Sequence, residues 1–273
     1  MPQTLKSPAK INLSLEILDK DSSGFHTLKS VIMEIPGLFD EIQIKKNDQI
    51  EIDFQPKISC KTEDSTVFKA AKLLLPPDKG IQISIKKNIP EESGLGGGAS
   101  NAATVLKAIN QMYNLGYTDE RLRKIGEKIG MDVPYFISGK TALVSHFGEN
   151  IEPLPDVNQI LKDNGFTVKI VQTNVNISTK WAYSKISPFI PVREFSRNDK
   201  LIEQLQTDNL IKAIQTKNIK KILNNLQNNF EPLIYNKYPK IKQQVDNLKI
   251  KEALSVHLCG SGGAIYGIFR QQS

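Results

Sequence analysis

The stretch Pro90-Glu91-Glu92-Ser93-Gly94-Leu95-Gly96-Gly97-Gly98-Ala99-Ser100-Asn101 places four glycines in the five positions from Gly94 to Gly98, directly before an apolar pattern of helical period. Glycine loses more backbone freedom on folding than any other residue, so a plain turn has little use for so many. Such a run offers bare backbone that reaches positive φ, so its amide groups can face an anion without side-chain obstruction. The helix that follows adds its unpaired first N–H groups and the positive end of its dipole. The Ser100 hydroxyl is expected to cap that helix or to donate to a phosphate oxygen. The stretch therefore predicts a phosphate-binding loop. No Gly-Lys-Ser/Thr closes it and the G-x-G-x-x-G spacing is not its natural parse, so it is neither a Walker A loop nor a dinucleotide fingerprint.

Around this loop the sequence alternates strand and helix patterns. Residues 41–45, 50–54 and 81–85 alternate apolar and polar side chains with the period of a half-buried strand. Ser65 to Leu75 predicts a helix with Val67, Ala70, Ala71 and Leu74 as its stripe, ended by Pro76-Pro77. After the glycines, Ala102, Val105, Leu106, Ile109 and Tyr113 recur at helical spacing from Asn101 to Asn114. A further helix is expected over Asp119 to Ile129, capped by Thr118 and stopped by Gly130. The second half predicts a short strand at Val168–Val171, helices across Leu201–Leu226 and a largely buried last strand over Ala264–Phe269. Pro153 to Gly165 is rich in Pro, Asp and Asn and predicts the domain boundary, giving domains of residues 1–155 and 156–273.

Composition narrows the partners. The 273 residues are 39% hydrophobic and 24% charged, ordinary values for a globular chain with a sizeable core. No apolar run is long enough for a bilayer and residues 1–10 lack a secretion signal, so a cytoplasmic location with no membrane partner is expected. Two distant cysteines, Cys60 and Cys259, and three scattered histidines indicate no disulfide framework and no metal site. The net charge of +7 permits nucleic acid or an anionic small molecule. Lysines of the last third lie among Asn, Gln and Ile, which reads as the wet side of amphipathic helices, so no nucleic-acid partner is expected.

Three stretches together carry a resemblance that covers the whole chain: Ser7-Pro8-Ala9-Lys10-Ile11-Asn12-Leu13, the glycine loop with its leading proline, and Leu258-Cys259-Gly260-Ser261-Gly262-Gly263-Ala264. In this order they resemble the GHMP kinase superfamily. Gly24-Phe25-His26-Thr27-Leu28, Gly130-Met131-Asp132-Val133-Pro134-Tyr135-Phe136 and Asn176-Ile177-Ser178-Thr179 sharpen it to members that phosphorylate a hydroxyl of a cytidine-linked substrate. The resemblance implies an α+β fold of two domains, the first like domain 2 of ribosomal protein S5 and the second ferredoxin-like. It implies ATP as co-substrate, Mg²⁺ travelling with it, a small-molecule acceptor, and a monomer or homodimer.

Residue by residue, the resemblance makes Lys10 and Asp132 the catalytic pair. It assigns Pro90, Gly94, Leu95, Gly96, Gly97, Gly98, Ala99, Ser100 and Asn101 to ATP. Phe25 and Tyr183 would stack on the base, His26 would meet its polar edge, and Asn12 and Thr179 would face the rest of the acceptor. Gly260, Ser261 and Gly262 would bring backbone amides near the phosphates as a second anion nest. This chain departs from the family pattern in three places. Phe25 keeps a ring but lacks a phenolic hydroxyl, Ala99 stands where a serine is common, and Glu91-Glu92 replace neutral residues and are expected to face solvent.

Overall fold

The computed structural model describes residues 3–20, 26–190 and 205–271. Two compact units take up the chain alternately: residues 1–10, 34–91 and 95–139 form the first, and residues 11–33, 92–94 and 140–273 the second. The expected boundary near residue 155 divides the chain into consecutive pieces, whereas these units interleave. The difference arises because β1 (Gln3–Lys20) and β2 (His26–Asn47) are long enough to contribute to both. Pro153 to Gly165, the expected boundary, includes a helix whose first turn is capped by the Asp156 carboxylate accepting from the Asn158 N–H.

In the first unit, the second part of β2 pairs antiparallel with β4 (Gly80–Lys86), in the register Glu41 opposite Lys86. Strand β3 (Ile50–Gln55) pairs in parallel with the other edge of β4. The predicted alternation holds on these strands: Ile42, Ile44, Ile81, Ile83 and Ile85 are buried. Removing each such side chain from water contributes about 2 kcal/mol. Helix α1 (Thr66–Leu74) buries Val67, Ala70, Ala71 and Leu74, and the Ser65 hydroxyl accepts from the Phe68 N–H to cap it. Helix α2 (Gly97–Met112) packs beside it with Ala102, Val105, Leu106 and Ile109 inward. Helices α3 (Asp119–Glu127) and α4 (Val133–Ser138) complete the unit, with Thr118 capping α3 as expected.

In the second unit, β5 (Thr141–His146) pairs antiparallel with the first part of β2, and β6 (Asn150–Pro153) with β5. After α5 (Val157–Asp163) comes β7 (Phe166–Gln172), then α6 (Thr179–Lys185). Helices α7 (Gln206–Gln215) and α8 (Ile219–Asn224) realise the lysine-rich segment from residue 205 onward. The two-residue β8 (Gln227–Asn228) pairs in parallel with β1 at Ser14 and Leu15. Helices α9 (Glu231–Lys237) and α10 (Pro239–Ile250) follow, then β9 (Ser255–Leu258) and β10 (Ala264–Arg270). Strands β7, β10 and β9 form an antiparallel sheet in that order. Its inner face shares a core with Ile17, Phe230, Ile234, Ile241 and Val245.

Candidate active site

Residues Ala9, Ile11, Leu13, Leu15 and Ile17 of β1 are buried and apolar, as alternation along a half-buried strand requires. The intervening residues Lys10, Asn12, Ser14 and Glu16 are polar yet also buried. Burying such groups is costly without partners; Ser14 accepts from the Val31 N–H and Glu16 from the Thr207 N–H, which are structural bonds.

In the first unit, Lys10 is 5% exposed, and its ammonium lies 3.6 Å from the Asp132 carboxylate. The backbone N–H of Lys10 donates to the Leu95 carbonyl at 3.0 Å, which ties β1 to the glycine loop. Gly96 is the N-cap of α2 and adopts φ 74°, ψ 18°, a left-handed conformation that favours glycine. A Cβ there would also sit 2.9 Å from the Phe136 ring and 3.1 Å from the Lys10 side chain. Helix α2 starts at Gly97, four residues earlier than the spacing predicts, because Gly97 and Gly98 form its first turn. Within that first turn Gly98 is exposed, whereas Gly97 is buried and Ala99 half-buried.

Ser100 lies inside that first turn rather than at the cap. It is 1% exposed, and the Ser7 hydroxyl lies 2.7 Å from its hydroxyl and 2.9 Å from Asn101 Oδ1. Two of the motifs are thus joined across 93 residues of sequence. Pro90 and Ala99 are half-buried and Leu95 is buried. Glu91 and Glu92 are exposed as expected, and the Glu91 carboxylate accepts from the Ser59 N–H.

Asp132 lies two residues before Pro134, where the chain is not extended. It has φ −86°, ψ −10° and is the N-cap of the six-residue α4, which takes Pro134 into its first turn. The first helical N–H groups have no intrahelical acceptor, so a proline there costs no hydrogen bond. The capping position leaves the Asp132 side chain 43% exposed.

In the second unit, Asn12 is 4% exposed and its side-chain amide donates to the Ser30 hydroxyl at 2.8 Å. The Tyr266 hydroxyl donates to the Asn12 carbonyl at 3.2 Å. Burial, followed by the nearby Cys259, Glu231 and Tyr235, pushes the Tyr266 phenol well above its ordinary pKa. Thr179 opens α6, and its hydroxyl lies 3.0 Å from that of Ser261. The His26 ring is 6.2 Å from the Tyr183 ring, which in turn packs edge-on against Phe230 at 5.0 Å. Tyr183 also borders the hydrophobic core, so it serves packing as well as presenting a ring beside His26. Phe25 lies outside the described residues.

Gly260, Gly262 and Gly263 all have positive φ. They shape a buried turn that locks onto the beginning of the glycine loop. The Ala264 N–H donates to the Ser93 carbonyl at 3.0 Å and the Ile177 N–H to the Glu92 carbonyl at 3.2 Å. A Cβ on Gly94 would lie 1.8 Å from the Cys259 carbonyl oxygen. Asn228, which sequence reasoning missed, organises the same turn. Its amide donates to the carbonyls of Leu258 and Gly260 at 3.0 and 2.8 Å, and its Oδ1 accepts from the Phe230 N–H. The Asn-rich composition around it hides any signal at that position. Among the described residues no group of three or more His, Cys, Asp or Glu could hold a metal ion, and no helix is long and apolar enough to cross a membrane.

A lysine–carboxylate pair beside a glycine-rich helix start is an arrangement suited to holding phosphate. The model of the GHMP kinases N terminal domain matches residues 65–140, and that of the GHMP kinases C terminal region matches residues 210–273. A 4-diphosphocytidyl-2-C-methyl-D-erythritol kinase of Pelobacter propionicus is 33% identical over 280 residues, covering 98% of this chain and 90% of its own. One from Clostridium botulinum is 35% identical over 269 residues, covering 97% and 90%. The chain belongs to the 4-diphosphocytidyl-2-C-methyl-D-erythritol kinase family of the GHMP kinases. The fold agrees: a crystal structure of 4-(cytidine 5'-diphospho)-2C-methyl-D-erythritol kinase superposes with a TM-score of 0.74 at 23% identity, covering 97% of this chain and 89% of its own. Homoserine kinase from Cytophaga hutchinsonii superposes with a TM-score of 0.70 at 20% identity, covering 99% and 86%.

Proposed function

We propose that this chain transfers the γ-phosphoryl group of ATP to a hydroxyl of 4-diphosphocytidyl-2-C-methyl-D-erythritol, giving the 2-phosphate and ADP, in non-mevalonate isoprenoid precursor synthesis. The observation that carries the reading is the buried Lys10 ammonium 3.6 Å from Asp132, next to Gly96 at the start of α2. It is supported by relatives of that name at 33% and 35% identity across nearly the whole chain.

In this reading the acceptor hydroxyl oxygen forms a bond to the γ-phosphorus as the bond from phosphorus to the β–γ bridging oxygen breaks. The electron pair of that bond leaves with ADP, and the hydroxyl proton goes to the Asp132 carboxylate. Lys10, 3.6 Å from the Asp132 carboxylate, stabilises charge on the transferred group. Little covalent chemistry falls to the protein in such a transfer, and positioning with charge stabilisation supplies most of the rate. The first turn of α2 takes the ATP phosphates through its unpaired N–H groups. Mg²⁺ would arrive on the nucleotide and neutralise its phosphates. At the acceptor end, Tyr183 and Phe25 hold the cytosine ring, His26 meets its edge, and Asn12 and Thr179 hold the methylerythritol side. The partners are small molecules, and the site of action is the cytoplasm.

The test is phosphate transfer from ATP to 4-diphosphocytidyl-2-C-methyl-D-erythritol, run beside homoserine and mevalonate. Turnover of the cytidine substrate alone is expected. Turnover of homoserine or mevalonate instead would remove the cytosine contacts from the reading.

A further inference from the structure

Asp40 is fully buried in the first unit, and its carboxylate is completely engaged by the segment that leads into the glycine loop. One oxygen accepts from the backbone N–H groups of Asn88 and Ile89 at 2.7 and 2.8 Å. The other is paired with the Lys87 ammonium, which is itself almost entirely buried. The Asn88 side-chain amide adds a bond to the Phe39 carbonyl at 2.8 Å, and the Lys87 N–H donates to the Gln55 carbonyl at 2.7 Å.

The position follows from the strand register. Glu41 opposes Lys86 on β2 and β4, so Asp40 stands where β4 ends and the chain turns towards Pro90. Beyond the end of a ladder, backbone N–H groups lose their strand partner, and a buried one needs another acceptor. Asp40 supplies it twice. A carboxylate accepting two backbone N–H groups and an ammonium is a strong, directional anchor. Its other product is the placement of Lys87 and Ile89 against the loop. A Cβ on Gly97 would lie 2.9 Å from Ile89 Cγ2 and 3.2 Å from Lys87 Nζ. Both side chains therefore press on the first residue of α2, where the helix N–H groups begin.

We infer that Asp40 is a positioning residue for ATP: it sets the path of Lys87–Ile89 and, through their contact with Gly97, the alignment of the first turn of α2 with the nucleotide phosphates. This rests on the reading of the glycine loop as the ATP site. A buried aspartate serving stability alone would weaken both substrates' use equally or neither. An aspartate acting through the loop changes the use of ATP selectively.

Asp40→Asn keeps an oxygen for the two backbone N–H groups but turns an amide towards Lys87. We expect the KM for ATP to rise about tenfold or more, since small misplacements of a binding element cost on that order, with the acceptor KM within about twofold of wild type. Calorimetric binding of a non-hydrolysable ATP analogue should weaken in parallel. An unchanged ATP KM, or equal rises for both substrates, would overturn the inference. If Asp40→Asn does not fold, the double variant Asp40→Asn, Lys87→Met removes both charges and leaves no unpaired buried ion. The same ATP-selective rise is expected from it, and a wild-type ATP KM overturns the inference. Wild-type protein gives a check independent of folding: without nucleotide, the Asn88 and Ile89 amides should exchange with solvent deuterium slowly, and fast exchange overturns the inference. Failure of the loop reading is separable, because wild-type protein would then fail to bind the ATP analogue.

Discussion

On the function proposed above, the nucleotide end and the acceptor end of this protein are built from different materials. The nucleotide end, in the first unit, relies on backbone: a left-handed Gly96, an exposed Gly98 and the start of α2, with Lys10 and Asp132 as its charged side chains. The acceptor end, in the second unit, relies on side chains: Asn12, His26, Thr179 and Tyr183, drawn from β1, β2 and α6. Phosphate is the same in every nucleotide and is met well by fixed N–H dipoles. A particular base and polyol need shaped, hydrogen-bonding side chains. One end therefore carries the reaction class and the other the choice of substrate.

Four substitutions can break or sharpen that comparison. The largest effect is expected from Asp132→Asn, which should lower kcat by about 10²- to 10⁴-fold while an ATP analogue still binds by calorimetry. Near-normal turnover would remove Asp132 from the proton transfer. Gly96→Ala imposes a Cβ at φ 74° against Phe136 and Lys10. It should cost roughly 1–3 kcal/mol in thermal or denaturant unfolding and raise the ATP KM more than the acceptor KM. The reverse order would contradict a backbone-built nucleotide end.

Tyr183→Ala should raise the acceptor KM about tenfold, on the scale of about 1–3 kcal/mol for a base–aromatic stack, with the ATP KM nearly unchanged in steady-state assays. Because Tyr183 also packs on Phe230, a loss of stability is expected beside it. Equal weakening of both substrates would leave packing as its only role. The smallest effect is expected from Tyr266→Phe, which deletes the bond to the Asn12 carbonyl and should cost about 1 kcal/mol. The pH dependence has a definite sign. The folded phenol has a raised pKa, so its contribution is complete below the unfolded tyrosine pKa of about 10 and is lost as pH rises above that value. Alkaline titration of stability should be shallower in Tyr266→Phe; an identical curve would show that Tyr266 adds nothing to it.

The same contrast explains what could be read from sequence. The glycine loop is contiguous, so its positive-φ backbone leading into a helix was legible, as were the periods of α1, α2 and α3 and the isoleucine alternation of β4. The start of α2 was misplaced because two glycines in a helical turn run against propensity, and the neighbours around Gly97 override it. Asn228 was invisible because its role is to meet carbonyls of residues 258 and 260, a fact of tertiary structure with no local pattern. The interleaving of the units could not be seen because strand period reports a strand's faces, not how many strands it will border.

The grip of the second glycine turn on the loop also orders events in time. The Glu92 and Ser93 carbonyls accept from the Ile177 and Ala264 N–H groups, and the Cys259 carbonyl fills the space where a side chain on Gly94 would stand. A ribosome delivers the loop long before it delivers those partners, and domains generally fold as synthesis proceeds. Here the loop's opening residues wait for some 170 further residues, a separation of the kind that slows folding through the entropy of closing long loops. A nascent chain that has not yet released residues 259–264 therefore lacks these contacts, and residues 92–94 of the glycine loop gain them only once that turn has emerged.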